Sequence, residues 1–171
     1  MDLAWFCLTG EAILAFALIF AHRKPASVPS LDEIIQNFDE IEDNCERFEY
    51  LLELGHDVED LPEGDKRSEF LVQGCQSQVW VIPAESLDSA GKLAFRADSD
   101  SLIVRGIVAL LLACYSGKTP AEILAFEIKP LLLKLGLARH LSPSRSNGLF
   151  SMVRRIEQIA GQYAAITNPP A

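Results

Sequence analysis

Paired cysteines are missing from this sequence. Its four cysteines, Cys7, Cys45, Cys75 and Cys114, are widely spaced and form no C-x-x-C pair. Zinc fingers and thioredoxin-type dithiols depend on such pairs, so neither kind of site is supported. Because a clear secretory signal is also missing, we expect free thiols in a reducing compartment and a cytoplasmic protein. The sequence contains no internal repeat and no low-complexity tract.

Basic residues are scarce as well. Lysine and arginine number 15 against 24 aspartates and glutamates, so the formal net charge is −9 and the isoelectric point about 4.8. Such a chain repels phosphate backbones, which argues against nucleic acid as a partner. With 49% hydrophobic residues over 171 positions, the chain is long enough for one domain with a sizeable core.

Residues 1–29 form an apolar N-terminal extension and linker that does not match the rest of the chain. Residues 3–21 are about as long as a membrane span, but Glu11 near their middle is costly in hydrocarbon. A secretory signal needs positive charge before its apolar run, whereas Asp2 stands there. Three interpretations stay open: an anchor or amphipathic attachment, where an inserted helix would leave the main domain on the cytoplasmic side; a signal peptide; or a spurious or vestigial extension with translation starting near Val28. Membrane contact is expected only if the extension is a real anchor.

The pattern of residues 30–166 predicts one α+β domain. Capping boxes at Ser30 and Thr119 each predict a helix start, and the apolar stretch from Ser101 to Tyr115 predicts a helix central to the core. Further helices are expected over a stretch ending at Gly55, over residues 130–135, and from residue 149 onward.

A small three-stranded antiparallel sheet is expected to pack against these helices. Runs rich in β-branched and aromatic residues predict strands at 70–72, 77–83 and 92–97, and their short connections favour antiparallel pairing. Residues 141–148 are polar and predict a loop, while residues 167–171 are expected to be a frayed tail.

Cys75 has the setting of a reactive cysteine. It lies in the run QGCQSQVW at residues 73–80, where Gly74 permits a tight turn before a strand. The alternative is a buried structural thiol, the common fate of a free cysteine, although the polar neighbours argue against deep burial. Among the four cysteines, Cys75 alone lies outside both the predicted helices and the N-terminal extension.

Other candidate residues have simpler explanations. Asp98 and Asp100 have side chains suited to metal or acid–base roles, but their position before the central helix favours capping. Cys45 and Cys114 fall on predicted helices among apolar neighbours and are expected to be structural. Trp80 is expected in the core or as support for the Cys75 turn.

Three separated polar motifs resemble those of the SufE family. They occur in the family's order and rough spacing: GCQSQVW at 74–80, DSD at 98–100 and LSPSRSNG at 141–148. The segment ERFEYLLELG at 46–55 is similar to the family's second helix, so the resemblance runs from about residue 30 to residue 162. It implies the fold that SufE proteins share with the IscU scaffolds.

The resemblance also implies a function. Cys75 would accept a persulfide sulfur from a pyridoxal-phosphate cysteine desulfurase of the SufS type, stimulate that enzyme, and pass the sulfur to a SufB-like scaffold for iron–sulfur cluster assembly. The protein is then a sulfur carrier and not an enzyme. It is expected to hold no cofactor, and a homodimer is compatible with this role.

Arg145 and His140 are the candidates for groups near Cys75. Only a thiolate is nucleophilic, and a nearby cation raises the thiolate fraction of a thiol whose ordinary pKa is about 8.5. The alternatives are a surface or loop-bracing role for Arg145 and a packing or capping role for His140. We also expect Val79, Trp80 and the central helix to form a pocket that shelters the Cys75 turn until a partner extracts it.

Two rival functions remain at this point. One is an IscU-like scaffold that holds zinc or an iron–sulfur cluster, with Cys75, His140 and an aspartate as ligands. Such a scaffold needs several converging ligands, whereas Cys75 alone has a loop setting that invites chemistry. The other rival is an interaction module in which Cys75 is inert.

Overall fold

The computed structural model describes residues 28–137 and 141–167. Two strands and a set of helices follow one another along this part of the chain. The helices are α1 (Leu31–Glu40), α2 (Asn44–Asp57), α3 (Leu102–Tyr115), α4 (Pro120–Ala125), α5 (Ile128–Lys134) and α6 (Pro143–Thr167). The strands are β1 (Val79–Pro83) and β2 (Phe95–Ser99), and short 3₁₀ turns occupy Glu63–Asp65 and Ser68–Phe70. The α+β class is therefore confirmed.

Both predicted capping boxes are present. The Ser30 hydroxyl accepts a hydrogen bond from the Glu33 amide at 3.3 Å, and the Glu33 carboxylate accepts one from the Ser30 amide at 2.8 Å. Thr119 and Glu122 make the same pair of bonds at the start of α4. Each box satisfies amides that a helix leaves unpaired at its first turn, which explains why these two helix starts are recognisable in the sequence.

Helices α2 and α3 pack against each other almost backbone to backbone. A Cβ added at Gly106 would lie 2.0 Å from the Leu51 carbonyl oxygen, and one added at Gly55 would lie 2.5 Å from the Leu102 carbonyl oxygen. The two glycines thus provide the space for the crossing. Helix α3 lies at the centre of the core, where Ile107, Leu110 and its other inward residues are fully buried.

Within residues 28–137 and 141–167 the sheet has two strands, so the prediction of three was wrong. Strands β1 and β2 pair antiparallel from Val79 opposite Ser99 to Pro83 opposite Phe95. The expected strand at 70–72 begins inside the second 3₁₀ turn and keeps one bridge, Leu71 to Trp80. The run between that turn and the turn at Gly74 is too short to extend the pairing further. The strand expected at 92–97 begins at Phe95, since residue 93 bridges to residue 118 instead.

The polar run at 141–148 was predicted as a loop, and this was wrong. Helix α6 begins at Pro143, and Ser142 caps it: its carbonyl accepts from the Ser146 amide at 2.9 Å, and its hydroxyl accepts from the Arg145 amide at 3.4 Å. Serine followed by proline is typical of a helix start. The serine caps the helix, and proline lacks a backbone N–H that would have no hydrogen-bond partner at the first helical position. Two other predicted helix bounds were also wrong: α5 begins at Ile128, ahead of Pro130, and α2 continues past Gly55.

Asp98 and Asp100 do not cap α3, contrary to the prediction. Strand β2 continues through Ser99, so Asp98 lies on the strand with its carboxylate buried and paired with Arg105 of α3 at 2.7 Å. Asp100 accepts a hydrogen bond from the Gln78 amide at 3.0 Å. The position before α3 is Ser101, whose side chain makes no capping bond. The two aspartates therefore brace the junction of β1, β2 and α3.

Parts of the predicted domain boundaries lie outside the described residues. These are residues 1–27 of the N-terminal extension and residues 168–171 of the tail, while residue 167 ends α6. The boundaries at 29 and 166 stay predictions. Across residues 28–137 and 141–167, none of the helices has both the length and the apolar character that crossing a membrane requires.

Candidate functional site around Cys75

The turn that carries Cys75 needs glycine at position 74 for two reasons. Gly74 has φ of +88°, a left-handed conformation that residues with a side chain rarely adopt. A Cβ at this position would also lie 3.0 Å from the Ser151 hydroxyl of α6. The turn therefore rests directly on α6, with Cys75 at its tip and β1 starting four residues later.

The thiol of Cys75 is half-buried against the first turns of α6. Its sulfur donates a hydrogen bond to the Gly148 carbonyl oxygen at 3.4 Å. A Cβ at Gly148 would lie 3.4 Å from the same sulfur, at the short end of van der Waals contact, so a side chain there would press on the thiol. The structure thus holds a protonated thiol in place through a bond that the thiolate cannot donate.

A cavity of about 130 Å³ adjoins Cys75 between α3 and α6. Val104 and Ile107 of α3 and Arg145 and Met152 of α6 line it together with the thiol. The central helix therefore lines a cavity beside the turn, as predicted. Val79 and Trp80 are not among its lining residues.

Trp80 was expected in the core or as support for the Cys75 turn, and the structure places it in the core. It forms a small separate cluster with Leu61 and Ile82. The Lys66 ammonium group lies 5.6 Å from the centre of its ring. It does not support the Cys75 turn, because strand side chains alternate and the side chain of Trp80 belongs to the side of the sheet away from the main core.

The electrostatics of the thiol are set by burial and by Arg154. Burial raises the pKa of Cys75 above that of a free thiol, and the positive charge of Arg154 acts in the opposite direction. Arg154 is a residue that sequence reasoning missed. Arg145 lines the cavity as expected, whereas His140 lies outside the described residues.

Gly148, Ser151 and Arg154 were not assigned roles from sequence, although a signal was present. They follow one another at spacings of three along α6, which places them on neighbouring parts of one helix face. Arg154 Nη2 donates to the Ser151 hydroxyl at 2.8 Å, directly beneath Gly74. Because residues 141–148 were predicted as a loop, this face was not extended back to Gly148.

Cys114, the other free cysteine in the described part of the chain, offers no comparable site. Cys114 is a free thiol in the core, fully buried, and burial raises its pKa to about 12. Its expected structural role fits this setting, whereas that of Cys45, in the first turn of α2, stays a prediction. Within the described ranges, no three histidine, cysteine, aspartate or glutamate side chains converge on a point that a metal ion could occupy. The ligand set of the scaffold hypothesis would need His140, outside these ranges.

Comparisons with known proteins match the part of the chain that contains this site. The model of the SufE domain, described as an iron–sulfur (Fe-S) metabolism associated domain, matches residues 32–160. An uncharacterised SufE-like protein of Rhizobium meliloti (strain 1021) is 43% identical over 132 residues, which cover 77% of this chain and 94% of the relative. A second uncharacterised SufE-like protein, from Rhizobium etli, is 44% identical over 137 residues, which cover 80% and 93%.

A solved structure shares the fold. It is the solution structure of a hypothetical protein from Thermus thermophilus, with a TM-score of 0.63 and 20% sequence identity, covering 79% of this chain and 96% of that one. At this identity the likeness concerns the fold alone. The family match and the two Rhizobium relatives carry the assignment, and the matched residues include the Cys75 turn, α3 and most of α6. The chain belongs to the SufE family, whose domain is associated with iron–sulfur metabolism.

Proposed function

We propose that this protein is a sulfur carrier that accepts persulfide sulfur on Cys75. The donor is a pyridoxal-phosphate cysteine desulfurase of the SufS type, which the carrier stimulates, and the recipient is a SufB-like scaffold for iron–sulfur cluster assembly. The observation that supports this most directly is the setting of Cys75. It is a free thiol at the tip of a glycine turn, half-buried between α3 and α6.

The transfer step requires the thiolate of Cys75. That thiolate attacks the terminal sulfur of the persulfide on the desulfurase cysteine, and a new sulfur–sulfur bond forms. The bond between the two donor sulfurs breaks, and the donor cysteine leaves as its thiolate. One sulfur atom moves and no external oxidant or reductant is consumed, which makes the step a thiol–disulfide type of exchange.

The geometry of the free protein keeps the Cys75 thiol protonated and poorly reactive. Burial and the bond to the Gly148 carbonyl both favour the protonated thiol, so little nucleophile is present in the free protein. A desulfurase that draws the turn away from α6 would remove the burial and break that bond together. The pKa of Cys75 would then fall, so the thiol would become reactive mainly where the donor is present.

Persulfide trapping tests the proposal. The full chain is incubated with a purified SufS-type desulfurase and L-cysteine, and its peptides are weighed by mass spectrometry. We expect a mass gain of one sulfur atom on the peptide that contains Cys75, and none there in Cys75→Ser. Cys114→Ala is the matched control and keeps the gain, because Cys114 is fully buried. An active desulfurase that leaves Cys75 unmodified in the wild type would refute the carrier function.

A further inference from the structure

A polar cleft of about 340 Å³ lies beside the Cys75 turn and is separate from the cavity that holds the thiol. One wall is the segment 68–73 that leads into the turn. The other wall is the face of α6 that carries Ser151, Arg154, Arg155 and Gln158. We call this feature the arginine cleft, after Arg154 and Arg155.

The arginine cleft is positively charged on a molecule whose net charge is −9. Glu69 is the carboxylate on its rim, and Arg67 pairs with that group at 3.1 Å. The charges of Arg154 and Arg155 are therefore left without a local counterion among the residues that line the cleft. An anionic group approaching this acidic protein finds a favourable field here.

The two guanidinium groups also have hydrogen-bonding capacity to spare. Arg154 donates to the Ser151 hydroxyl, and Arg155 donates to the Glu69 carbonyl oxygen at 2.9 Å. Across residues 28–137 and 141–167 neither group forms an ion pair, and the buried Nε of Arg155 has no acceptor. Each guanidinium has five N–H donors in a planar fork that matches the two oxygens of a carboxylate.

The arginine cleft is physically joined to the reactive turn. Gln73 lines it two residues before Cys75, and Ser151 both lines it and supports Gly74. A protein that places a side chain in the cleft therefore brings its own surface against the turn. The proposed sulfur donor is such a protein, because its persulfide is covalently attached and has to reach Cys75.

We propose that the arginine cleft binds a carboxylate side chain from an acidic segment of the sulfur-donating desulfurase, and so docks that enzyme beside Cys75. This inference rests on the proposed function. The carboxylate would offset the charge of Arg154 that acts on the thiol, so the cleft contributes affinity and not activation. Weakening the interaction between the cleft and this carboxylate should therefore raise the Michaelis constant of the desulfurase reaction for this protein. The rate at saturating concentrations of the protein should stay nearly unchanged.

Gln158 allows this to be tested without removing an arginine that also supports the fold. Gln158 is exposed on the rim of the cleft, so Gln158→Glu adds a negative charge with little structural cost. The Michaelis constant for this protein is measured in desulfurase turnover at about 0.05 M salt, where screening is weak. We expect a rise of about fivefold for Gln158→Glu and a fall for Gln158→Lys, typical of one exposed charge pair. Both effects shrink at about 0.5 M salt.

Gln162→Glu is the matched control, because Gln162 is exposed one turn further along α6 and does not line the cleft. Equal Michaelis constants for the two glutamate variants would overturn the proposal.

A binding experiment separates this inference from the carrier function. A capped tetraglutamate peptide is titrated into the full chain while the Nε–H signals of Arg154 and Arg155 are followed by NMR. We expect saturable shifts that Gln158→Glu weakens, with much smaller shifts from capped tetraglutamine or free succinate. Succinate shifts as large as those of the peptide would indicate a site for small ions and overturn the docking role. If wild-type Cys75 gains no sulfur but the peptide binds as described, the carrier function fails and the carboxylate site stands.

Discussion

Gly148 lies where an added side chain would contact the sulfur of Cys75. It lies inside the helix with an ordinary negative φ, so backbone conformation does not require a glycine there. The constraint comes from the thiol, since a Cβ at this position would lie 3.4 Å from the sulfur, at the short end of van der Waals contact. A residue 73 positions away in sequence thus contributes to the shelter of the reactive group.

Gly148→Ala should therefore loosen the sheltered thiol without weakening the helix. The added methyl group presses on the Cys75 sulfur, while alanine itself favours the helix by about 1 kcal/mol over glycine. If crowding costs the sheltered arrangement about 1 kcal/mol, the exposed fraction of the thiol rises roughly fivefold. The measurement is the rate at which iodoacetamide alkylates Cys75, followed by peptide mass spectrometry.

Gly161→Ala is the control for this substitution. It makes the same change in α6, but a Cβ at Gly161 meets no atom within 4 Å. We expect its alkylation rate to equal that of the wild type. If both alanine variants react at the same rate, the contact between Gly148 and Cys75 does not restrain the thiol.

At the scale of elements, the crossing of α2 and α3 depends on the absence of two side chains. A methyl group on Gly106 would lie within 2.0 Å of the Leu51 carbonyl oxygen, a distance that no rotamer change can relieve. Gly106→Ala must separate the two helices, and we expect a loss of at least about 2 kcal/mol in the free energy of unfolding. Urea denaturation measures the loss, with Gly161→Ala as the helical control. An unfolding free energy like that of the control would mean that the helices cross less closely.

Elements with local signals could be predicted from sequence, and elements set by distant contacts could not. The capping boxes at Ser30 and Thr119 act within four residues, and both helices start where predicted. The start of α6 was misjudged because the serines and Arg145 look like loop residues, although Ser142 and Pro143 carried a cap signal. The strand at 70–72 was predicted wrongly, because an apolar run of three residues does not show where the turns on either side of it begin and end.

The candidate site shows the same division. Gly74 and Cys75 are adjacent in sequence, so their turn was predicted correctly. The cation that acts on the thiol was assigned to Arg145, which lines the cavity, whereas the charge that lowers the pKa of Cys75 belongs to Arg154. Helical periodicity shows that Arg154 and Ser151 share a face. It does not show that this face lies against residue 74, because that contact arises only when α6 packs on the folded core.

For the whole molecule, the buried thiol of Cys114 makes stability sensitive to alkaline pH. Burial raises its pKa from 9.0 to about 12, so the folded protein holds a proton that the unfolded chain releases from about pH 9 upward. The stabilising contribution is complete below pH 9 and is lost as pH rises towards 12. It decreases by about 1.4 kcal/mol per pH unit, or about 3 kcal/mol by pH 11.

Cys114→Ala isolates this effect from other groups that titrate in the same range. The variant loses some packing energy at every pH, but it no longer holds the buried proton. We expect the difference in unfolding free energy between wild type and variant to shift by about 3 kcal/mol in favour of the variant between pH 8 and pH 11. Urea denaturation at a series of pH values measures it, and parallel curves would show that Cys114 ionises equally in both states.

The separation of Cys75 from Gly148 also has a consequence for synthesis of the chain. The partner that covers the thiol is added 73 residues after it, which takes about 4 to 15 seconds at ordinary translation rates. For most of that interval no part of α6 has been made, because α6 begins only at Pro143, and α6 forms one side of the shelter. The nascent chain therefore presents an uncovered Cys75 to cellular oxidants, and this vulnerability ends only when the C-terminal helix docks.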